Sequence, residues 1–491
     1  MEDNREKYDR QIRLWASSGQ ELIGSSRVLV IGVSLSQSEL LKNLILAGIG
    51  SFTLLAPHSN VGVSDIEGTF YLEDEDLGRP LAESLALRLC ELNSDVTHEV
   101  INIESFQLQD FLKLKSKEFD LIVSDSPFEF SLSAEDPPVL ELRTLSYYSL
   151  IHLRFNELST IDSHRSVVPD LKILRPWPQL KAYFNSFDLE KLDTDELSNV
   201  PYPVILYQLA RRWNDEKGKL PESKEMADFK KQIRKLCPSE QLTNLEEAVR
   251  NAHMVGLKKE GNGAVDSFFE KLDSVKIKSL KNCRGSLNDK FWLLVYTLHE
   301  YSAELGELPT CGDLPDMDSD TLNYLSLKEI YQEKFRDDLD HFNELLQAAQ
   351  SELEISFDIE EEMVTKFVKN CRILHHSTSD NLPLSLSSIG NPTESKFKLI
   401  AYAFTLLQSL SVPLTLASFE QVLELSELKE HEPFQSILYE MLRGEGREMI
   451  NIASITGGVA AQEALKLLMR QYVTLEGTWV FDGISCESGK L

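Results

Sequence analysis

The chain has 491 residues, of which 50 are basic and 79 acidic, giving a formal charge of −29. That excess argues against a nucleic-acid binder, which would carry a basic face, and the length asks for two or three domains rather than one core. The start, MEDNREKYDRQIRLW, shows no apolar secretory segment, no run of about 18 apolar residues suggests a membrane span, and the six cysteines (Cys90, Cys237, Cys283, Cys311, Cys371 and Cys486) include no C-x-x-C pair, so free thiols and a cytoplasmic or nuclear location are expected.

In chain order, Val28–Val33 reads as a strand and Ser38–Ala47 as a helix, stopped by Gly48 and Gly50. Ser51–Ala56 is the next strand. Gly78–Asn93 reads as a helix with Leu81, Leu85, Leu89 and Leu92 on one face. Phe119–Asp125 and Tyr147–Phe155 are buried-strand runs. This alternation predicts an α/β domain over residues 1–165, with a mostly parallel, doubly wound, Rossmann-like sheet. Prolines in Val167–Leu180 break the pattern, and 166–440 reads as a large, mainly helical insertion. Its longest helical run carries Ile330 or Tyr331, Phe335, Leu339, Phe342 and Leu346 as one stripe. Asp316, Asp318 and Asp320 precede it, where a helix start favours negative charge. Residues 377–395 read as a linker. Residues 441–491 hold a helix rich in small residues, then the strand-like TWVFDGI, which would complete the first sheet from the far end of the chain. Ser454, Gly457, Gly458, Ala460 and Ala461 would let another helix approach closely.

The turn after the first strand reads Gly-Val-Ser-Leu-Ser-Gln. A dinucleotide turn needs G-x-G-x-x-G, so that backbone N–H groups reach the phosphates and the helix packs closely. Here only Gly32 remains, with Ser34 and Gln37 at the other two positions. The second strand ends in Ala56, Pro57 and His58, where a ribose-binding carboxylate would stand. Two losses in one site predict a degenerate nucleotide site with no cofactor bound by this chain. A purely structural βαβ unit accounts for the same residues.

Lys7–Trp15, KYDRQIRLW, resembles the opening of the ubiquitin-activating enzyme family, and VLVIG followed by SELLKNLILAGIGSFTLL resembles that family's first βαβ unit. In Ser64–Glu83 the family's Asn-Arg-Gln is replaced by Glu67, Gly68 and Thr69, only Phe70 of its Asn-Arg-Gln-Phe is kept, and Leu81 stands for the second lysine. The resemblance therefore implies a ThiF-type adenylation fold of the incompetent kind, half of a pseudo-symmetric pair. Lys290–Tyr301, Asp313–Arg336 and Ile450–Val473 resemble the regulatory subunits of neddylation-activating heterodimers. The SUMO-activating counterpart, with a shorter insertion, and a non-catalytic scaffold are the alternatives.

The resemblance implies a catalytic partner subunit that holds ATP and Mg and carries the active cysteine, with the ubiquitin-like modifier and a conjugating enzyme as further partners. It implies that Arg10 reaches the partner's ATP in trans, with Arg13 as helper. Guanidinium is always charged and suits phosphate oxygens. Tyr324, Leu325, Leu327, Ile330 and Tyr331 become candidate partner contacts, with core packing as the competing reading. Cys311 is the most loop-like thiol, but Asp313 and Asp316 nearby would disfavour a thiolate. His375 and His376 follow Cys371 without a second ligand cluster, which argues for packing and against zinc.

Overall fold

The computed structural model describes residues 6–102, 108–126, 128, 136–165, 170–238, 241–256, 264–272, 277, 279–281, 285–379, 382–410 and 412–491. The chain divides into two compact units, Met1–Thr160 with His376–Leu491, and Ile161–His375.

The first unit is built on helix α1 (Asp9–Ser25), β1 (Arg27–Ile31), α2 (Leu35–Ala47), β2 (Ser51–Ala56), α3 (Leu81–Cys90), β3 (Thr97–Asn102), β4 (Leu121–Ser124), β5 (Val139–Leu145) and β6 (Tyr148–Arg154). A short pair follows, β7 (Glu157–Thr160) with β8 (His375–Thr378), and then α4 (Lys396–Leu410), α5 (Glu432–Arg443), α6 (Ile450–Met469), β9 (Thr478–Asp482) and β10 (Glu487–Lys490). The main sheet runs β10-β9-β6-β5-β4-β1-β2-β3. Strands β3, β2, β1, β4 and β5 are parallel, with Val30 opposite both Leu54 and Val123. β6, β9 and β10 are antiparallel. The sheet is thus mixed, and more antiparallel than the alternation of strand and helix suggested. The far end of the chain does complete it, because β9 pairs with β6.

β1 is buried on both faces, which is why it reads as an unbroken apolar run. Val28 and Val30 pack with Leu40, Leu44, Ala460 and Ala464, while Leu29 packs on the other side with Leu55 and Ile122. α6 lies against α2, and Gly457 is the point of closest approach. A Cβ there would stand 2.6 Å from Glu39 Cβ and 2.8 Å from the Leu40 backbone nitrogen, whereas nothing lies within 4 Å of a Cβ on Gly458. The helix that the small residues admit is therefore one of this chain's own.

The insertion is shorter than the sequence suggests. Its expected end at 440 is corrected to His375, and its expected start at 166 falls on residues 166–169, outside the described residues. Leu399, Ile400, Phe404 and Leu407 of α4 and Phe434, Leu438 and Met441 of α5 pack on Tyr148, Leu150 and Val480 of the main sheet. Periodicity reveals that a helix has an apolar face and not what that face meets.

The second unit, Ile161–His375, is mainly helical. Helix Thr321–Glu352 runs through two cores. Leu327 and Tyr331 join Phe184, Ile205, Trp213 and Phe229. Phe342 and Leu346 join Phe291, Trp292, Tyr301 and Phe367. Asp320 caps its start by accepting the Asn323 N–H. Midway, buried Asp338 accepts from Tyr301 Oη at 2.7 Å and from Thr310 N and Oγ1 at 2.8 Å each.

The two neighbouring glycines of α6 give a direct test in the isolated chain. Alanine has better helix propensity than glycine by about 1 kcal/mol, so Gly458→Ala is expected to raise stability to urea. Gly457→Ala is expected to lower it, because neither the Leu40 backbone nor the Glu39 Cβ can move aside cheaply.

Candidate functional site

The turn between β1 and α2 is filled by side chains. Gly32 adopts φ +107°, and a Cβ there would overlap the Asp125 carboxylate and stand 2.9 Å from Gln37 Oε1. Ser34 is the N-cap of α2. Its hydroxyl accepts the Gln37 N–H at 3.3 Å, and Gln37 Oε1 accepts the Ser34 N–H at 3.0 Å. This is a capping box with Gln in the third position. The remaining Gln37 amide donates to the Ile31 carbonyl at 2.8 Å. Ser34 and Gln37 thus do in this turn what glycine and a bound phosphate do in a dinucleotide turn.

The next pair of donors is met from 412 residues away. Ser36 donates its backbone N–H to Glu448 Oε2 at 2.8 Å and its hydroxyl to Glu448 Oε1 at 3.0 Å. The Leu35 amide also favours the Glu448 charge. A helix N-terminus presents unpaired N–H groups and the positive end of the helix dipole, which is why it binds anions. Here the anion is a side chain of the same chain. Burial pushes the Glu448 carboxyl up to about 7, with Asp125 adding to the rise and the Ser36 donors opposing it. Burial raises Asp125 as well. Behind Glu448 a line of hydroxyls, Ser36, Thr144, Ser149 and Thr456, runs into the sheet at spacings of 2.8, 3.2 and 2.7 Å. A phosphate over Gly32 would have to displace both carboxylates. Neither Asp125 nor Glu448 was singled out from the sequence. No local pattern identifies Glu448, and Asp125 stood only as the end of a strand.

Arg10 is set by its neighbour. Tyr8 is buried, and its hydroxyl accepts from Asn93 Nδ2 at 2.9 Å, which also donates to the Ile45 carbonyl at 2.8 Å. Gly48, at φ +85°, leaves room for the ring, since a Cβ would stand 2.6 Å from Tyr8 Cζ. α1 is broken at Trp15 and Ala16, where Ala16 has φ 61° and ψ 174°. Gln471 pins the break by donating to the Trp15 carbonyl at 3.2 Å. Arg10 and Arg13 lie on the first piece and are exposed. Arg13 pairs with Asp9 at 2.8 Å, an exposed contact of little energetic weight. The Arg10 guanidinium meets no carboxylate among the described residues.

The other candidates are dispersed. Leu327 and Tyr331 lie in the core of the helical unit, with Tyr331 Oη bonded to the Leu171 carbonyl. As surface contacts for a partner they are corrected by this burial. Tyr324 and Ile330 are half-buried against the same core, and Leu325 is exposed, as is Leu322 beside it. Cys311 lines a hollow of about 260 Å³ with Asp313, Phe335, Arg336 and Lys369. Cys371 is fully buried, and Cys283 lies outside the described residues. His376 Nε2 bonds Glu157 Oε1 at 2.8 Å and His375 Nδ1 meets Arg165 at 3.1 Å, so the two rings have different partners.

Residues 8–125 match the ThiF family. The NEDD8-activating enzyme E1 regulatory subunit of Gallus gallus is 27% identical over 532 residues, covering 98% of this chain and 96% of the relative. Proteins of the same description from Caenorhabditis elegans (26%, covering 99% and 98%) and Saccharomyces cerevisiae (27%, covering 98% and 99%) align equally fully. Among the described residues no helix is long and apolar enough to cross a membrane. The chain thus carries a ThiF region over its first sheet strands and is homologous along its whole length to proteins described as NEDD8-activating enzyme E1 regulatory subunits.

Proposed function

We propose that this protein is the regulatory, non-catalytic half of a heterodimer that activates the ubiquitin-like modifier of neddylation. Its partner holds ATP and Mg and carries the cysteine that receives the modifier. This chain holds no nucleotide and supplies Arg10 in trans to the partner's ATP. The reading rests on one observation above all. In a chain that follows regulatory subunits from end to end, the donors of the first α2 turn are engaged by the chain's own side chains.

The role of Arg10 follows from its chemistry. Adenylation of a carboxylate places charge on the α-phosphate and on departing pyrophosphate. A guanidinium fork aimed at those oxygens stabilises the charge as it develops. Tyr8 fixes the backbone two residues away, and the Arg10 side chain is left uncommitted. Leu322 and Leu325 give the helical unit an apolar contact of its own at the start of helix Thr321–Glu352. A conjugating enzyme docks on the assembled pair, and the pair works in the cytoplasm or nucleus.

ATP–pyrophosphate exchange by the reconstituted pair tests the role of Arg10. Arg10→Ala is expected to slow exchange by about 100-fold, with the pair still co-eluting. An unchanged rate would leave a scaffold in place of an arginine donor. ATP exchange by the chain alone would reject the non-catalytic assignment altogether. Two leucines separate contact from core. Leu325→Asp is expected to weaken association while leaving the melting of the isolated chain within about 0.5 kcal/mol. Leu327→Ala is expected to destabilise the isolated chain by about 2–5 kcal/mol.

A further inference from the structure

β3 lies at the edge of the main sheet, beside β2. The parallel register sets His98 opposite Phe52, and the two rings stack with centroids 5.8 Å apart and planes 21° apart. α3 packs over the same face. Its Leu85 and Leu89 share a core with Phe52, and Cys90, its last residue, lies half-buried against that core. Cys90 Sγ and His98 Nδ1 come within 3.1 Å of each other. The loop between them is pinned by Asn93, whose amide donates to Tyr8 Oη at 2.9 Å and to the Ile45 carbonyl at 2.8 Å. Neither the end of α3 nor the start of β3 is therefore free to drift.

A thiol beside an imidazole is a nucleophile beside its base. The reacting form is the thiolate, and a base within hydrogen-bond reach can supply it. In the neutral ring, Nδ1 accepts the thiol proton while Nε2 keeps its own. The ring is exposed and the thiol is half-buried, so a small reagent can reach both. Burial raises the Cys90 thiol. At rest the pair is thus thiol and imidazole, and the proton moves as the new bond forms. Other thiols are set differently. Cys311 and Cys486 meet backbone carbonyls at 3.7 Å each, and Cys371 is fully buried.

We propose that Cys90, with His98 as its base, is a modification site that takes a low-molecular-weight disulfide. Sγ attacks one sulfur of the disulfide while His98 Nδ1 takes the thiol proton. The new Sγ–S bond forms, the reagent's S–S bond breaks, and the proton passes to the departing thiolate. Cys90 is oxidised to a mixed disulfide, and the other half of the reagent leaves reduced, as a thiol. The inference needs no partner and no nucleotide, so it stands apart from the functional reading above.

The charged groups nearby are engaged elsewhere or face away. On α3, Arg88 meets Asp76 at 3.1 Å, Glu73 at 3.0 Å and Glu91 at 3.7 Å, and Glu83 accepts from Asn102 at 3.0 Å. In the loop, Asp95 pairs with Lys7 at 2.7 Å. Glu99 follows His98 on β3 and falls on the other face by the alternation of the strand. β2, Ser51–Ala56, brings no charged residue. Among the described residues His98 is the titratable group that meets the thiol.

The test follows each cysteine of the full chain by peptide mass after brief exposure to oxidised glutathione, with exposed Cys486 as the internal reference. At pH 7 Cys90 is expected to form the mixed disulfide about 10-fold faster than Cys486. His98→Gln is expected to abolish that lead and leave the Cys486 rate unchanged. The pH profile separates a base from a packing role. The Cys90 rate should flatten toward pH 8, because a neutral ring is all it needs. Cys486, and Cys90 in His98→Gln, should keep climbing with the thiolate fraction. Equal Cys90 rates in the parent and His98→Gln would overturn the proposal. Should His98→Gln unfold the chain, buried Cys371 would be labelled as well, and the parent alone decides. There, parallel profiles for Cys90 and Cys486 would overturn the assignment.

Discussion

The first turn of α2 needs an acceptor. Its amides point out of the helix at the edge of the parallel sheet, and a buried N–H left unpaired costs about 1–3 kcal/mol. In nucleotide-binding relatives of the fold a phosphate meets that need. Here Ser34 and Gln37 meet part of it locally, and Glu448 meets the rest. Each solution constrains its surroundings. Gln37 must reach back to Ile31, so the turn stays short. Glu448 must arrive from the link before α6, so α6 must lie along α2, and Gly457 is the residue that permits this closeness. The price is a carboxyl buried beside another carboxyl, which the helix dipole and the Ser36 donors only partly offset.

That arrangement also accounts for how the first unit survives a long interruption. β6 is followed by β7, and β7 pairs with β8, which comes after the helical unit in chain order. The two ends of the insertion therefore leave and rejoin the first unit side by side. An insertion whose ends already meet adds little closure entropy to the sheet, since that cost grows only slowly with loop length. After the return, α4 and α5 pack on the antiparallel strands β6 and β9, and α6 packs against α2 and over β4, β5 and β6. The C-terminal segment is as much a part of the sheet unit's core as the N-terminal βαβ.

The sequence displayed β1, β2, β4, β6 and β9 because their apolar runs are continuous, as buried strands require. β3 and β5 were not recognised. β3, Thr97–Asn102, is an edge strand with Thr97, His98 and Glu99 exposed, so it lacks a core pattern. β5, Val139–Leu145, holds Glu141 and Arg143 in the interior, where Glu141 pairs with fully buried Arg154 at 3.0 Å. A buried ion pair disguises a central strand as a polar one. The helical stripe of Thr321–Glu352 was legible, but its use was not. The same spacing that marks Leu327 and Tyr331 as one face would serve a partner or a core, and only their three-dimensional neighbours decide. At the candidate site, the loss of the glycines was plain from Ser34 and Gln37. Glu448 was invisible, because a contact across 412 residues leaves no local trace.

The placement of charge gives the two halves of the proposed mechanism a common basis. The turn at the position where a dinucleotide fold holds a phosphate faces Asp125 and Glu448, and the chain as a whole carries −29. Neither favours ATP. Arg10, by contrast, stands on an exposed helical piece whose base is locked by Tyr8, Asn93 and Gly48. Net charge is screened over a Debye length of about 8 Å at physiological ionic strength, so a phosphate brought to Arg10 by another subunit would feel the guanidinium far more than the distant acids. An arginine serves best in trans when nothing at home competes for it. In the proposed pair the Glu448 contact over α2 serves the same end, because a turn satisfied by its own chain offers few free donors to a nucleotide.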